Sequence, residues 1–168
     1  EALGGTVLPP WDHLLEGEMS RLLASAGKES HCVDVRVVDE NGASLPVGEV
    51  GEIAMRGKHV MEGYWKNPEL TERTLRNGWL HTGDMGYLDK DGYLFLVDRK
   101  ADMIVTGGEN VYPKETEDVL YEHPAVMECA VVSAPDERWG ERVQAVVVLK
   151  QGQQATAEEL IVHCKDRL

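Results

Sequence analysis

The sequence predicts an α+β protein in which an antiparallel, β-barrel-like sheet is followed by a small α/β domain. In residues 33–37, valines alternate with charged side chains, a pattern typical of a half-buried strand. Short turns that contain glycine separate this run from further apolar runs, and short turns favour antiparallel pairing or a small barrel. After Pro113, helical and strand patterns alternate, which indicates a second, smaller module.

Length and composition allow one domain or two small ones. The chain has 168 residues, of which 42% are hydrophobic, so it can form a packed core. Its formal net charge is −13. This charge argues against nucleic acids and anionic membranes as partners, because both attract basic surfaces. An acidic chain can still bind a nucleotide through a few local cations.

The sequence contains no recognisable targeting signal and no metal motif. No apolar run approaches the ~20 residues of a membrane span, and the first residues lack the basic and apolar regions of a signal peptide. Cys32, Cys129 and Cys164 form no Cys-x-x-Cys pair, and the histidines have no metal-ligand spacing. We therefore expect free or buried thiols, a cytoplasmic protein and no metal site.

The first hundred residues contain two helical patterns beside the strand patterns. Residues 16–26 show one apolar face and precede Gly27, which predicts a short helix. Strands are predicted at 33–37 and within 48–57. Asn67, which proline follows, predicts the N-cap of another short helix.

The segment 97–113 opens with four charged residues in five positions, turns apolar and breaks at Gly107-Gly108. Two adjacent glycines permit positive φ angles and the close approach of another backbone or a ligand. The pattern predicts a small hairpin, for which a solvated tip is the simplest role. A second hairpin is predicted around Asp91-Gly92, between two apolar runs.

The second module has its own succession of elements. The sequence predicts a helix at 113–123, a strand at 126–134, a loop at 135–140 and a strand at 143–149. The last strand is nearly continuous valine and alanine, which is typical of a strand that is buried on both faces.

A final helix is predicted after Thr156, because Thr156 and Glu159 have the spacing of a capping box. Leu160, Cys164 and Leu168 then fall on one helical face. We expect that face to be buried.

Two motifs, in this order, resemble those of a known family. Residues 78–84 read Gly-Trp-Leu-His-Thr-Gly-Asp, and residues 98–117 contain Asp-Arg, Asp-Met-Ile and Gly-Gly-Glu-Asn-Val-Tyr-Pro. Both resemble core motifs of the adenylate-forming superfamily, which includes acyl- and aryl-CoA synthetases, peptide-synthetase adenylation domains and luciferase. The resemblance extends from about Val33 to the C-terminus.

The resemblance implies two domains. Residues 1–97 correspond to the β-barrel end of the large AMP-binding domain, and residues 98–168 to the small, mobile C-terminal domain, truncated before its catalytic lysine. The chain does not begin with Met and stops inside a helical pattern, so we expect a piece of a longer protein. The family's phosphate loop and Tyr-Gly-x-Thr-Glu stretch are absent. We therefore expect no catalytic residue here and no adenylation by this piece alone.

Asp84 and Arg99 are the candidate ATP- and AMP-binding residues. A carboxylate at the end of a strand can accept two hydrogen bonds from a vicinal diol, and the alternative is an Asp that bonds its own turn. By resemblance, Asp84 binds the ribose hydroxyls of ATP and of the acyl-adenylate, and Arg99 contacts the ribose and phosphate region. A guanidinium suits that role because it stays charged and forks onto oxygens. A surface salt bridge of Arg99 with Asp98 or Asp102 is the alternative.

Three residues are candidates for binding CoA. By resemblance, Gly107 and Gly108 lie along the path of the CoA pantetheine, where missing side chains leave room. Trp139 matches a position near CoA, although it could equally be an aromatic residue at the edge of the core. Arg138 and Arg142 could face the phosphates of CoA.

The resemblance also implies a hinge just after Arg99. The pivot position is Asp or Lys in most of the family, but Ala101 occupies it here. Asp98, Lys100 or Asp102 could contribute the hinge instead, although a small residue can itself absorb a backbone rotation.

Family members catalyse two steps, and the resemblance implies both for the parent protein, with ATP, CoA and Mg²⁺ as cofactors. A small carboxylic acid attacks the α-phosphate of ATP, and the C-terminal domain then turns so that the CoA thiol attacks the resulting acyl-adenylate. The sequence specifies neither the acid nor the oligomeric state. A peptide-synthetase adenylation domain and a non-catalytic nucleotide-binding or assembly module are the alternatives. The Gly-Gly-Glu-Asn-Val-Tyr-Pro form favours a CoA ligase.

Overall fold

The computed structural model describes residues 4–168. The chain divides into two compact units, of which the first ends at Lys100 and the second comprises Ala101–Leu168. Both units combine helices with antiparallel strands. The predicted α+β class is therefore confirmed.

The first unit contains a two-stranded ladder and a five-stranded antiparallel sheet. Its strands are β1 (Thr6–Val7), β2 (Lys28–Glu29), β3 (Val33–Val38), β4 (Gly51–Gly57), β5 (Leu75–Arg76), β6 (Trp79–Leu88) and β7 (Leu94–Arg99). β1 pairs with β2, and β3 pairs with β4. The long strand β6 pairs with β4 along one edge, and with β5 and then β7 along the other. β6 is therefore the strand that connects the parts of the large sheet.

The core of the first unit is built on strands of this sheet. Val37, Ile53 and Leu94 form its central cluster, and each is no more than 3% exposed. The predicted hairpin joins β6 to β7. Gly92 closes its turn with a φ of +82° and donates its N–H to the carbonyl of Asp89 at 3.0 Å.

Helix α1 (Pro68–Thr74) of the first unit begins as predicted. The Asn67 side chain accepts a hydrogen bond from the N–H of Leu70 at 3.1 Å, and proline occupies the first helical position. The cap satisfies one free N–H group at the helix start, and proline has no N–H group to satisfy.

The helix predicted at residues 16–26 is a 3₁₀ helix instead, spanning Glu18–Ala24. Leu22 is its one buried residue, whereas Met19 and Leu23 are 41% and 44% exposed. Without a continuous buried stripe, the segment gains too little from packing to continue as an α-helix. A shorter 3₁₀ helix precedes it.

The second unit packs helices against antiparallel strands. Its elements are β8 (Ile104–Thr106), β9 (Glu109–Val111), α2 (Pro113–Tyr121), β10 (Val126–Asp136), β11 (Gly140–Leu149) and α3 (Ala157–Lys165). The strand order is β10-β11-β8-β9, and β8 and β9 form the hairpin predicted around the paired glycines. Ile104, Leu120 and Val131 form the core cluster, and each is no more than 5% exposed.

The hairpin of β10 and β11 differs from the prediction in two ways. β10 continues to Asp136, so that residues 137–139 alone form the turn. β11 is not buried on both faces, because Val143, Val146 and Val148 are 38%, 55% and 48% exposed. Valine favours strands whether or not they are buried, and β10 is the only strand that pairs with β11 along its length in the described chain.

Helix α3 begins with the predicted capping box. The Thr156 hydroxyl accepts a hydrogen bond from the N–H of Glu159, and the Glu159 carboxylate accepts one from the N–H of Thr156. Leu160 and Cys164 pack against the core cluster as predicted. Leu168 does not, because it lies beyond the end of the helix and is 62% exposed.

The cysteines are free thiols, as expected. Cys32 is exposed, whereas Cys129 and Cys164 are half-buried, and burial raises the pKa of both of these thiols. No helix within residues 4–168 is both long and apolar enough to cross a membrane. In the same residues, no group of three or more His, Cys, Asp or Glu side chains could hold a metal ion.

Candidate functional site

A bulge in β6 carries the Thr-Gly-Asp motif. On β4, Glu52 and Ala54 are two residues apart, but their partners on β6, Met85 and His81, are four residues apart. Two extra residues of β6 must therefore leave the ladder between His81 and Met85. Bulges of this kind re-aim side chains and are common next to functional sites.

Local hydrogen bonds hold the bulge in one conformation. The Thr82 hydroxyl donates to the carbonyl of Ile53 at 3.0 Å and accepts from the N–H of Asp84 at 3.1 Å. Gly83 has a φ of +78°, in the region that favours glycine. A Cβ atom at Gly83 would meet no atom within 4 Å. The backbone angle, and not a lack of space, is therefore what calls for glycine here.

Asp84 and Arg99 face each other across β6 and β7. They are direct register partners, so their side chains leave the same face of the sheet, with Cβ atoms typically about 5 Å apart. Asp84 is half-buried and Arg99 is exposed. Neither side chain makes a hydrogen bond or an ion pair with residues 4–168, so both are available to a ligand.

The structure corrects the sequence-based view of this pair. Asp84 lies within β6 and not at the end of a strand, and its carboxylate does not bond its own turn within the described chain. Arg99 forms no salt bridge with Asp98 or Asp102. The Asp98 carboxylate instead accepts a hydrogen bond from the backbone N–H of Arg99 at 2.7 Å.

A buried ionic cluster in the same sheet was missed by the sequence analysis. The Oε2 atom of Glu52 lies 3.1 Å from Arg76 Nη2, 3.2 Å from His81 Nδ1 and 3.1 Å from Lys100 Nζ. The Glu52 and His81 side chains are 7% and 5% exposed, whereas Arg76 and Lys100 are each 39% exposed. The one available signal was a glutamate directly before the apolar run Ile53–Met55 of strand β4.

This environment keeps Glu52 charged. Burial raises the pKa of Glu52. Hydrogen bonds and charge interactions with Lys100 and His81 lower the pKa by more than burial raises it, so the pKa lies below its ordinary value of 4.5. A buried carboxylate is stable only when it is paired and hydrogen-bonded. Glu52 therefore gathers positively charged groups at the centre of the sheet.

The four predicted hinge residues are held to very different degrees. Lys100 donates its N–H to a backbone carbonyl of β6 and its ammonium to Glu52. Asp98 lies inside β7. Ala101 and Asp102 are exposed turn residues, and the Asp102 side chain makes no hydrogen bond or ion pair within residues 4–168.

In the second unit, Gly107 and Trp139 are in direct contact. The Gly107 N–H donates to the carbonyl of Trp139 at 3.1 Å, and a Cβ atom at Gly107 would lie 2.8 Å from the indole ring. Gly107 therefore makes room for the indole. Gly108 has a φ of +89°, and a Cβ atom there would meet nothing within 4 Å. The second glycine thus borders open space.

Trp139 is presented at an ordered turn and is 49% exposed. The Asp136 carboxylate accepts hydrogen bonds from the N–H groups of Arg138 and Trp139 at 2.9 and 3.0 Å. The Arg138 guanidinium lies 4.5 Å from the centroid of the indole. An exposed aromatic ring beside a cation can stack on a planar group and pair with a phosphate. Arg142 instead contacts Gln144 at 3.5 Å.

Comparison with known proteins identifies the class to which these features belong. The family model of the AMP-binding enzyme matches residues 1–65, and that of the AMP-binding enzyme C-terminal domain matches residues 115–168. A feruloyl-CoA synthase of Amycolatopsis is 48% identical over 146 residues, which are 87% of this chain and 30% of that protein. The chain therefore belongs to the adenylate-forming superfamily of AMP-binding enzymes.

Other relatives and solved structures agree with this class. A medium/long-chain-fatty-acid–CoA ligase of Mycobacterium tuberculosis is 53% identical over 128 residues, 76% of this chain and 22% of that protein. An o-succinylbenzoate CoA synthetase of Bacillus subtilis, solved with its acyl-adenylate intermediate, has a TM-score of 0.85 and 39% identity, covering 98% of this chain and 32% of that one. An amide bond synthetase of Marinactinospora thermotolerans has a TM-score of 0.80 and 43% identity, covering 88% and 30%. The chain thus spans less than a third of the length of these proteins.

Proposed function

We propose that this chain is the C-terminal part of an acyl- or aryl-CoA synthetase. Such an enzyme joins a carboxylate to ATP, which gives an acyl-adenylate and pyrophosphate, and the CoA thiol then displaces AMP to form the thioester. The relatives named as CoA ligases support this assignment, as does the similarity to a structure that holds an acyl-adenylate. ATP, CoA and a carboxylic acid are the small molecules implied, with Mg²⁺ as the usual companion of ATP.

The facing pair of Asp84 and Arg99 is the observation that carries the proposal. A carboxylate accepts two hydrogen bonds from the two hydroxyls of a ribose, and a guanidinium pairs with phosphate oxygens. Both side chains leave one face of the sheet and have no partner within residues 4–168. The Thr-Gly-Asp bulge holds the backbone of Asp84 in place. We therefore assign the ribose to Asp84 and the ribose–phosphate region to Arg99.

The family matches support a division of roles along the chain. The sequence predicts the boundary between residues 97 and 98, but the first compact unit ends at Lys100. We therefore assign residues 1–100 to the β-barrel end of the large AMP-binding domain and residues 101–168 to the small C-terminal domain. This chain alone then lacks the residues that promote attack of the substrate carboxylate on ATP, so we expect it to bind ligands without turning them over.

In the second unit, we assign CoA to the surface beside Gly108 and Trp139. The open space at Gly108 and the half-exposed indole support this assignment. Gly107 supports it indirectly, because its missing side chain is what lets the indole lie against the hairpin of β8 and β9.

An amine is a second candidate acceptor of the acyl group. The specific observation in its favour is the similarity to an amide bond synthetase, whose TM-score of 0.80 and identity of 43% are close to the 0.81 and 42% of an ATP-bound chimera. A CoA ligase and an amide-forming enzyme share the adenylate and differ in the group that attacks it. Binding of CoA by this chain favours the first, and its absence beside intact AMP binding favours the second.

Calorimetry of the 168-residue chain with AMP tests the nucleotide assignment. We expect Asp84→Ala to weaken AMP binding about tenfold or more, because hydrogen bonds to a charged group are lost. Asp91→Ala is the matched control, since Asp91 lies in the β6–β7 turn and is exposed. If AMP binds and Asp84→Ala binds it as tightly as the original chain, the assignment is wrong.

The same titration with CoA tests the second unit. Trp139→Ala should weaken CoA binding, because it removes the exposed aromatic surface. Trp65→Ala is the control, since Trp65 is 87% exposed and lies in the first unit. Equal CoA affinity in both variants would remove Trp139 from the site.

A further inference from the structure

Lys100, the last residue of the first unit, is held by hydrogen bonds to that unit, whereas the two residues after it are exposed. The Lys100 N–H donates to the carbonyl of Gly83 at 2.8 Å, and its ammonium donates to Glu52 Oε2 at 3.1 Å. The next two residues, Ala101 and Asp102, are exposed and lie in a turn. No side-chain bond within residues 4–168 holds Asp102.

We infer that Glu52 is a positioning residue that fixes Lys100 to the first unit, so that the movable link begins at Ala101. Rotation at such a link belongs to the proposed function, and in this respect the inference rests on it. The anchoring of Lys100 is a property of the first unit and can be measured without any ligand.

The buried position of Glu52 explains why it can act as an anchor. Its carboxylate is 7% exposed, and a single oxygen of it lies within 3.2 Å of Arg76, His81 and Lys100. Arg76 and His81 lie on the sheet strands β5 and β6. They keep the carboxylate paired even without Lys100. Among these three contacts, the hydrogen bond to Lys100 is therefore the one that connects the buried cluster to the last residue of the first unit.

The same anchor also braces the candidate nucleotide site. The carbonyl that accepts the Lys100 N–H belongs to Gly83, in the bulge that carries Asp84. Arg99, the register partner of Asp84, directly precedes Lys100 in the chain. With Lys100 held at both its backbone and its side chain, movement that starts at Ala101 leaves the Asp84–Arg99 pair undisturbed.

Amide hydrogen exchange, followed by NMR on the 168-residue chain, tests the anchor. In the unchanged chain, we expect the amide at position 100 to be protected and those at 101 and 102 to exchange rapidly. Lys100→Met keeps the apolar stem and removes the ammonium. It should lower protection at position 100 about tenfold or more, while the amides of β4 and β6 keep theirs. Lys100→Arg, which restores a charged donor, should recover most of the protection.

Arg73→Met is the control, since it removes an ion pair with Glu69 that is 73% and 76% exposed and should change nothing at position 100. Glu52→Gln should act like Lys100→Met at this amide if the unit stays folded. The inference is overturned if position 100 exchanges as fast as 101 in the unchanged chain, or if Lys100→Met leaves its protection intact. Either result would overturn the anchor only, because the nucleotide assignment is tested separately by AMP binding and by its loss in Asp84→Ala. Conversely, a failure of AMP binding would overturn the nucleotide assignment but not the result of the exchange experiment.

Discussion

Individual side chains of the first unit divide into two kinds by the partners they have. Asp84 and Arg99 have no hydrogen bond or ion pair inside the described chain, whereas Glu52 has three cationic or imidazole neighbours on one oxygen. Charged groups without partners at a bulge suit a ligand, and a fully paired buried carboxylate suits a structural anchor. The two kinds lie on neighbouring strands. Single substitutions should distinguish them, because changes at Asp84 should affect ligand binding and changes at Glu52 should affect stability.

Glu52→Gln should destabilise the first unit in a pH-dependent way. The change removes the charge that pairs with Arg76 and Lys100. We expect the free energy of unfolding to fall by about 2 kcal/mol, less than for a fully buried ion pair, because water can still reach both partners. A carboxylate whose folded-state pKa is lowered contributes stability above its ordinary pKa of 4.5 and loses that contribution as the pH falls through the folded pKa. The difference in unfolding free energy between the two proteins should therefore stay constant near neutral pH and shrink as the pH falls below the ordinary pKa of 4.5.

Urea unfolding at several pH values measures this difference. Glu69→Gln removes an exposed carboxylate that also has an ion pair, and it should change stability little at any pH. A Glu52→Gln penalty that stayed constant on acidification would show that charge is not its cause.

The adjacent glycines of the β8–β9 turn offer a second test at this scale. Gly107→Ala and Gly108→Ala both place a side chain at positive φ, which costs about 1 kcal/mol. Only Gly107→Ala also puts a Cβ atom 2.8 Å from the indole of Trp139. We expect Gly107→Ala to cost about 1–3 kcal/mol more than Gly108→Ala in thermal unfolding. Equal losses would mean that the indole moves aside freely.

At the scale of elements, β6 determines where the nucleotide-site candidates lie. Its pairing with β4 leaves two residues of the Thr-Gly-Asp stretch outside the ladder, and its pairing with β7 puts Arg99 opposite Asp84. The starts of α1 and α3 are fixed by N-cap side chains, which accept hydrogen bonds from N–H groups that have no partner within the helix.

Thr156→Ala should weaken helix α3 and with it the second unit. The Thr156 side chain accepts from the N–H of Glu159 in a capping box, and its loss should cost about 1 kcal/mol. Denaturant unfolding measures the loss. Glu158→Gln is the control, because Glu158 lies in the same first turn but outside the box. A Thr156→Ala loss no larger than that of Glu158→Gln would show that the cap contributes little to the stability of the second unit.

Helix caps and hairpin turns were predicted well because their signal is local. The caps at Asn67 and Thr156 and the hairpins around Gly92 and Gly107 depend on residues next to one another in sequence, and all four are present. The burial of the valine run in β11 was predicted wrongly, because burial depends on what covers a strand, which the strand's own sequence does not state.

At the scale of the whole molecule, the two units have separate cores and separate candidate sites. The first holds the proposed nucleotide residues, and the second holds the proposed CoA surface. The family matches fall on residues 1–65 and 115–168, one in each unit. This arrangement supports the proposal that the chain contributes ligand contacts to a larger enzyme.

The 168-residue chain should therefore bind ligand without catalysis. We expect no exchange of radiolabelled pyrophosphate into ATP above the rate of a protein-free control, with any simple carboxylic acid added. The physical reason is that the sequence lacks the family's phosphate loop and adenylation lysine, so most of the groups that would stabilise charge on the attacked α-phosphate are missing. A measurable exchange rate that Asp84→Ala abolishes would contradict this expectation.

The sequence by itself determined the caps of α1 and α3, the hairpins at Gly92 and Gly107, the two motifs and, through them, the superfamily. These rest on local chemistry: side chains that cap N–H groups, glycines at positive φ, and alternation along a strand. Tertiary structure alone decided that Arg99 faces Asp84 and that Arg76, His81 and Lys100 meet on Glu52. Strand register and the burial of charge depend on residues far apart in the chain, and no pattern of neighbours encodes them.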